Sequence, residues 1–341
     1  MTSKTPCLVG ALLLGMFGCE GRDFGDGFKT SETFRREQFV QAEPTPVDVL
    51  WVVDTSCSMA DEQQALADNF PAFTEFFLDV GVSFRLGVTT TNVDEEDTVG
   101  FDGQLVGTPR WLDQDTPDLL TAGQERTLLG IDPGHRDEKG LHAAYTALEL
   151  LGAGANEGFV RAEANLAIVI VSDEPDFSRR SEPGSASVIG EAQFAAWLDG
   201  FKADDPTRSQ LSAVVGIGVG GFDDPEGCDQ PAVQNESTFG NGAQRGDGYL
   251  EAAAATGGAW QSICSDDWSA MLGLLGLLAA GLEDTFPLEV PAYPDSVRVS
   301  VDGARVTSWE FDVASNSVVF RPAAAVPRSG SEIRIEYEER P

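Results

Sequence analysis

Histidine is almost missing from this chain: His135 and His142 are the only two among 341 residues. A hydrolase that relies on a histidine base has little to draw on, and no G-x-S-x-G elbow supplies a nucleophile. A zinc centre lacks nitrogen ligands for the same reason. Positive charge is also scarce, with 22 Lys and Arg against 56 Asp and Glu and a formal net charge of −34. Nucleic acid and anionic membrane surfaces would repel such a chain and are excluded as partners. The apolar stretch Trp268 to Leu282 has polar flanks and falls short of the roughly 20 residues a membrane span needs, so it reads as a core helix. Gly216-Ile217-Gly218-Val219-Gly220-Gly221 follows the fifth apparent strand and leads into no long helix, so it reads as a glycine-rich strand exit and not a phosphate loop. The acidic clusters Asp94-Glu95-Glu96-Asp97 and Asp223-Asp224-Pro225-Glu226 lack EF-hand spacing and read as solvated loops. A non-catalytic protein is expected.

What is present is a strong pattern of strands. Val47-Asp48-Val49-Leu50-Trp51-Val52-Val53 runs into Asp54-Thr55-Ser56-Cys57-Ser58-Met59. An apolar run that ends in an acid and two alternate hydroxyls reads as a buried parallel strand feeding a loop. Ligands of open α/β sheets bind beyond such strand ends. Asp54, Ser56 and Ser58 place three small oxygen donors on that loop, a set that suits a hard divalent cation such as Mg²⁺. A second strand, Asn165 to Ser172, ends in Asp173.

These two strand ends resemble the metal-ion-dependent adhesion site of von Willebrand factor A domains, whose D-x-S-x-S is matched by Asp54, Ser56 and Ser58. The resemblance implies that Asp173 completes the site through water. It also implies that the ion keeps an open position for an Asp or Glu of a partner protein. Family members supply a threonine before the helix that follows the third strand. The stretch Ile131 to Leu141 has no Ser or Thr, and Asp137, three residues before Gly140, is the positional match. A carboxylate there makes the site more anionic, which favours Mg²⁺ held more tightly, or Ca²⁺; Mn²⁺ is the other candidate ion. The alternative is a degenerate site that binds no metal, leaving a structural envelope protein. Cys57, between the motif serines, reads as a small buried residue that points away from the ion.

The N-terminus gives an address. Cys7 to Phe17 is an apolar run of eleven residues, the length of a signal h-region. Met16-Phe17-Gly18-Cys19 resembles a bacterial lipobox, which implies cleavage before Cys19 and its acylation; an ordinary secretory signal is the other reading. Glu20 is not the aspartate that often retains lipoproteins at the inner membrane, so the outer membrane or cell surface is expected, with the lipid as the only membrane contact. In an oxidising compartment Cys228 and Cys264 remain as a candidate disulfide.

The expected layout is an α/β fold, a doubly wound, mostly parallel sheet, followed by a small antiparallel β module. The proposed divisions are residues 1–18 as signal peptide, 19–44 as lipid-anchored tether, 45–286 as A domain and 287–341 as β module. Four runs in the module alternate at period two, around Val299, Phe311, Val318 and Ile335, and Phe34 to Gln41 is a candidate added strand. The whole resembles A-domain lipoproteins of predatory and social bacteria.

Overall fold

The computed structural model describes residues 33–43, 45–93, 102–132, 137–179, 189–202, 205–229, 242–265, 268–321 and 325–340. The signal segment, Cys19 and the Asp94–Asp97 cluster lie outside the described residues. In chain order the strands and helices are β1 (Phe34–Val40), β2 (Val47–Val53), α1 (Ala60–Val80), β3 (Phe84–Thr90), β4 (Trp111–Leu112), α2 (Leu119–Thr127), α3 (Gly140–Tyr145), β5 (Asn165–Ser172), α4 (Glu191–Asp199), β6 (Ser209–Val215), β7 (Cys228–Asp229), β8 (Gly242–Ala243), α5 (Tyr249–Ala255), β9 (Trp260–Ser262) and α6 (Ser269–Ala280). The C-terminal part adds β10 (Thr285–Pro287), β11 (Arg298–Val301), β12 (Ala304–Arg305), β13 (Trp309–Asp312), β14 (Ser317–Phe320) and β15 (Glu332–Glu338).

Every residue of β2 is buried, which a strand needs when helices cover both faces of its sheet. The main sheet has six strands in the order β4-β3-β2-β5-β6-β9, and all its pairings are parallel except β3 with β4. The chain winds outward from β2 in one direction through β3 and in the other through β5. The carboxyl ends of β2 and β5 therefore lie side by side at the switch point, where ligands bind in open α/β sheets. On one face, Trp51 packs edge-on against Phe73 at 5.1 Å, and Phe73 in turn against Phe77 at 4.9 Å, so α1 is anchored by an aromatic ladder. Pro71 is accommodated within the helix, which runs on to Val80. Helix α6 joins the same face, and a side chain at Gly276 would strike the Phe76 ring at 2.6 Å. The other face is covered by Leu141, Phe194, Leu198, Tyr249 and Leu250 from α3, α4 and α5. The fold is a three-layer α/β arrangement.

The C-terminal part is larger than four strands. β10 and β12, of three and two residues, are too short to show alternation. They join two antiparallel sheets, β1-β15-β11-β12 and β10-β14-β13. The expected added strand is present: β1 pairs antiparallel with β15 along its whole length, from Phe34 opposite Glu338 to Val40 opposite Glu332. This corrects the tether boundary, because residues 34–40 belong to the β module. The module shares a continuous core with the α1/α6 face, in which Phe286, Phe320, Ile333 and Tyr337 are buried with Leu272 and Leu282. Among the described residues no helix is long and apolar enough to cross a membrane.

Candidate functional site

The site is assembled from four loops at the carboxyl end of the sheet. Asp54 is the first residue past β2, and its N–H donates to Val171 O at 2.9 Å, which fixes it against β5. Its carboxylate is fully buried. Oδ1 accepts the Ser56 N–H at 2.7 Å, and Oδ2 accepts the Ser172 hydroxyl at 2.6 Å. Ser56 Oγ and Ser58 Oγ lie 3.1 Å apart, so the motif hydroxyls converge. The Ser58 and Ser56 hydroxyls act on the nearby Asp173 carboxyl, favouring its ionised form. Asp173 is 5% exposed, and its buried Oδ1 has no hydrogen-bond partner among the described residues. Asp54, Ser56, Ser58 and Asp173 are thus brought together.

The third loop contributes differently. Asp137 is partly exposed, whereas the next residue, Glu138, is fully buried. Glu138 Oε2 accepts the Thr91 hydroxyl, and the Glu138 carbonyl accepts the Phe177 N–H at 2.6 Å. The carboxylate whose charge bears on Asp54 and Asp173 is that of Glu138. The two neighbouring residues differ in burial, a difference that loop spacing alone does not reveal.

Burial pushes the Asp54 carboxyl well above the ordinary range, and the nearby charges of Glu138 and Asp173 add to the effect against the hydrogen bonds from Ser172 and Ser56. Burial, opposed by the serine hydroxyls and reinforced by Glu138, pushes Asp173 up to about 6. The donors are all oxygens, two carboxylates and two hydroxyls, and one buried carboxylate oxygen has no donor among the described residues. That chemistry fits a hard divalent cation with water completing its shell. Asp54, Ser56, Ser58 and Asp173 are the residues that would hold it. Among the described residues, no three His, Cys, Asp or Glu side chains are grouped so as to hold a metal ion.

Several residues that shape the site were not singled out from sequence. Gln63 Nε2 donates to Asp54 O at 2.9 Å and to Gly130 O at 3.0 Å, while its Oε1 accepts the Gly130 N–H at 3.1 Å. One amide thereby ties the motif loop to the 128–132 loop. Asp176 Oδ1 accepts from Leu141 N at 3.3 Å and from Ser178 Oγ at 2.7 Å, capping α3 from the Asp173 loop. Burial first, against those hydrogen bonds, pushes Asp176 up to about 7. Gln244 N donates to Asp173 O at 2.8 Å. That strand exit requires glycine at 216, because a Cβ there would sit 1.9 Å from Gln244 O.

Cys57 is exposed, not buried as expected, because the motif turn that brings Ser56 and Ser58 together leaves the residue between them at the surface. Cys228 and Cys264 form a disulfide that links β7 to the segment just after β9. Asp224 is engaged within its own loop, accepting from Gly220 N at 2.8 Å and Glu226 N at 3.0 Å.

No protein-family model matches the chain, and no curated protein matches it. Solved structures do. The open form of the pilus adhesin SpaC from Lactobacillus rhamnosus GG aligns at 10% identity and a TM-score of 0.44, over 89% of this chain and 40% of the adhesin. A von Willebrand factor type A protein from Catenulispora acidiphila aligns at 15% identity and a TM-score of 0.35, over 92% of this chain and 67% of that one. The pilus adhesin RrgA from Streptococcus pneumoniae aligns at 10% identity and a TM-score of 0.31, over 89% of this chain and 58% of the adhesin. The chain thus spans well under two thirds of the length of either pilus adhesin.

Proposed function

We propose that this protein is a non-catalytic, metal-dependent protein-binding module of the von Willebrand factor A type, tethered to the cell envelope. The observation that carries the reading is the meeting of the Ser56 and Ser58 hydroxyls near Asp173, whose buried Oδ1 has no donor among the described residues, beside the buried Asp54. Asp54, Ser56, Ser58 and Asp173 would hold Mg²⁺, or Mn²⁺ or Ca²⁺, with one position left for an Asp or Glu of a partner protein. Neutralising that acid in a partly dry cleft makes metal and partner binding interdependent. Cys19, if acylated, would place the module on the outer membrane or cell surface.

The test is calorimetric titration of the full chain carrying Cys19→Ser with Mg²⁺, Mn²⁺ and Ca²⁺, beside the same chain with Asp54→Ala. Binding that is lost in the Asp54 variant supports the reading. No binding in either sinks it and favours the second reading, a structural envelope protein with a degenerate site. The third-loop stretch Ile131 to Leu141, which contains no Ser or Thr, is what favours that alternative.

A further inference from the structure

We infer that the 128–132 loop is a second contact for the partner, and that the acid taken by the ion is flanked by large apolar side chains, which Leu128 and Ile131 meet. This rests on the metal-dependent reading above and names the chemistry of its partner. Leu128 is 44% exposed and Ile131 39% exposed. Single exposed apolar residues are ordinary on a protein surface. These two differ because the backbone that carries them is pinned to the metal motif. Gln63, itself buried, uses its whole amide on the join: Nε2 donates to Asp54 O and to Gly130 O, and Oε1 accepts the Gly130 N–H. Two residues on, the Asp132 N–H donates to Thr55 O at 2.6 Å. Ile131 is thus held between two residues that each bond the motif, one through the Gln63 side chain and one directly at Thr55, between Asp54 and Ser56.

The rest of the loop is anchored inward. Thr127 is fully buried, and its hydroxyl donates to Gln124 O at 3.0 Å. Leu129 packs against the α1/α6 core, and Asp132 is buried. Gly130 has a φ of +83°, and a Cβ there would meet nothing within 4 Å, so glycine serves the turn and not close packing. Leu128 and Ile131 stand out from a backbone that is fixed on both sides of each, so little freedom is lost when a partner covers them. Once the ion holds a partner's carboxylate, the residues beside that acid come up against this loop. Apolar side chains there would take Leu128 and Ile131 out of water. Further acids there would gain nothing from the loop and would add repulsion from a chain of net charge −34. One acid between apolar neighbours fits both parts of the surface.

The test uses the full chain carrying Cys19→Ser, with Mn²⁺ affinity read from the electron paramagnetic resonance signal of free Mn²⁺. Two probe peptides, N-acetyl-Leu-Asp-Leu-amide and N-acetyl-Gly-Asp-Gly-amide, are titrated onto the Mn²⁺-loaded protein. Displacement of metal-bound water is followed by water proton relaxation. Each peptide carries one negative charge, so repulsion by the protein is the same for both. The leucine peptide is expected to bind tighter by roughly tenfold. Leu128→Ser with Ile131→Ser, both at the surface, should abolish that preference. The double variant should keep Mn²⁺ affinity and glycine-peptide affinity within about twofold of wild type, as surface changes do. Equal binding of the two peptides to wild type overturns the inference, as does a preference that survives in the double variant. Should Mn²⁺ bind and neither peptide displace its water, the acid-binding part of the reading fails and this inference with it, while the metal site stands. Should wild type hold no more Mn²⁺ than Asp54→Ala, the metal reading itself fails and takes this inference with it.

Discussion

The hydroxyl of Ser172 donates to Asp54 Oδ2 at 2.6 Å, across 118 residues of sequence. This bond joins the ends of the two central strands at the switch point and supplies one of the two donors to a fully buried carboxylate. Ser172→Ala leaves that oxygen without its donor. The expected cost is about 1–3 kcal/mol of stability without metal, measured by urea denaturation. Saturating Mg²⁺ should recover part of this, because the ion attracts the same carboxylate. A loss of equal size with and without Mg²⁺ would detach Asp54 from metal binding.

The acidities of the site link metal binding to pH. Asp173 titrates at about 6 in the fold, and Asp54 is raised well above its ordinary value, both by burial first. Between pH ~4 and ~6 the unfolded chain has released protons that the fold retains, so these groups make stability fall as pH rises through that window. Mg²⁺ binds the ionised forms, so its stabilising effect has the opposite slope. At about 100-fold excess over Kd, the melting temperature is expected to rise by about 5–10 °C at pH 7.5. At pH 5 the rise should largely vanish. Equal shifts at the two pH values would place the ion elsewhere.

The strand-end donors were legible because strands buried on both faces are long apolar runs, and an acid at the end of one stands out. Asp54, Ser56, Ser58 and Asp173 each lie just past such a run. Other parts of the site carry no such mark. Ser172 is one hydroxyl closing an apolar run, and only the β2–β5 pairing reveals its partner. Gln63 lies one turn into an ordinary amphipathic helix, and nothing in its spacing announces a clamp on Asp54 O. In the third loop, one residue of backbone register decides whether Asp137 or Glu138 turns inward, and no periodicity fixes the register of a loop. Helix α2 is nine residues long and its buried positions are Leu119, Gly123 and Thr127, a weak apolar signal, and β10 and β12 are too short for period-two alternation to appear.

The contrast between those two loop acids can be tested. Asp137 is partly exposed, whereas Glu138 is buried and its charge acts on Asp54 and Asp173. Asp137→Ala is expected to leave Mg²⁺ affinity within about twofold of wild type, since water screens a charge at the surface. A large loss in calorimetric titration would restore Asp137 as the third-loop donor.

The disulfide between Cys228 and Cys264 spans 36 residues and lies outside the proposed donor set. On the chain-entropy model, replacing both cysteines by serine should cost about 4 kcal/mol, read from chemical denaturation under oxidising conditions. Mg²⁺ affinity should be unchanged, because no donor residue touches the bridge. A matching loss of Mg²⁺ binding would show that the bridge holds the site in shape.

Strand β1 separates a structural role from that of a passive tether. Phe39 is half-buried, and its ring meets Phe286 edge-on at 5.4 Å, whereas Phe34, in the same strand, is 64% exposed. Phe39→Ala should destabilise the protein by about 2 kcal/mol, below the cost for a fully buried ring because only part of its surface is lost. Phe34→Ala should change stability by less than about 0.5 kcal/mol, as surface positions do. Were residues 34–40 only a linker to the membrane, both substitutions would be silent in a denaturant titration. The unequal pair is the signature of a strand that closes the β module, with β1 and β15 paired residue for residue.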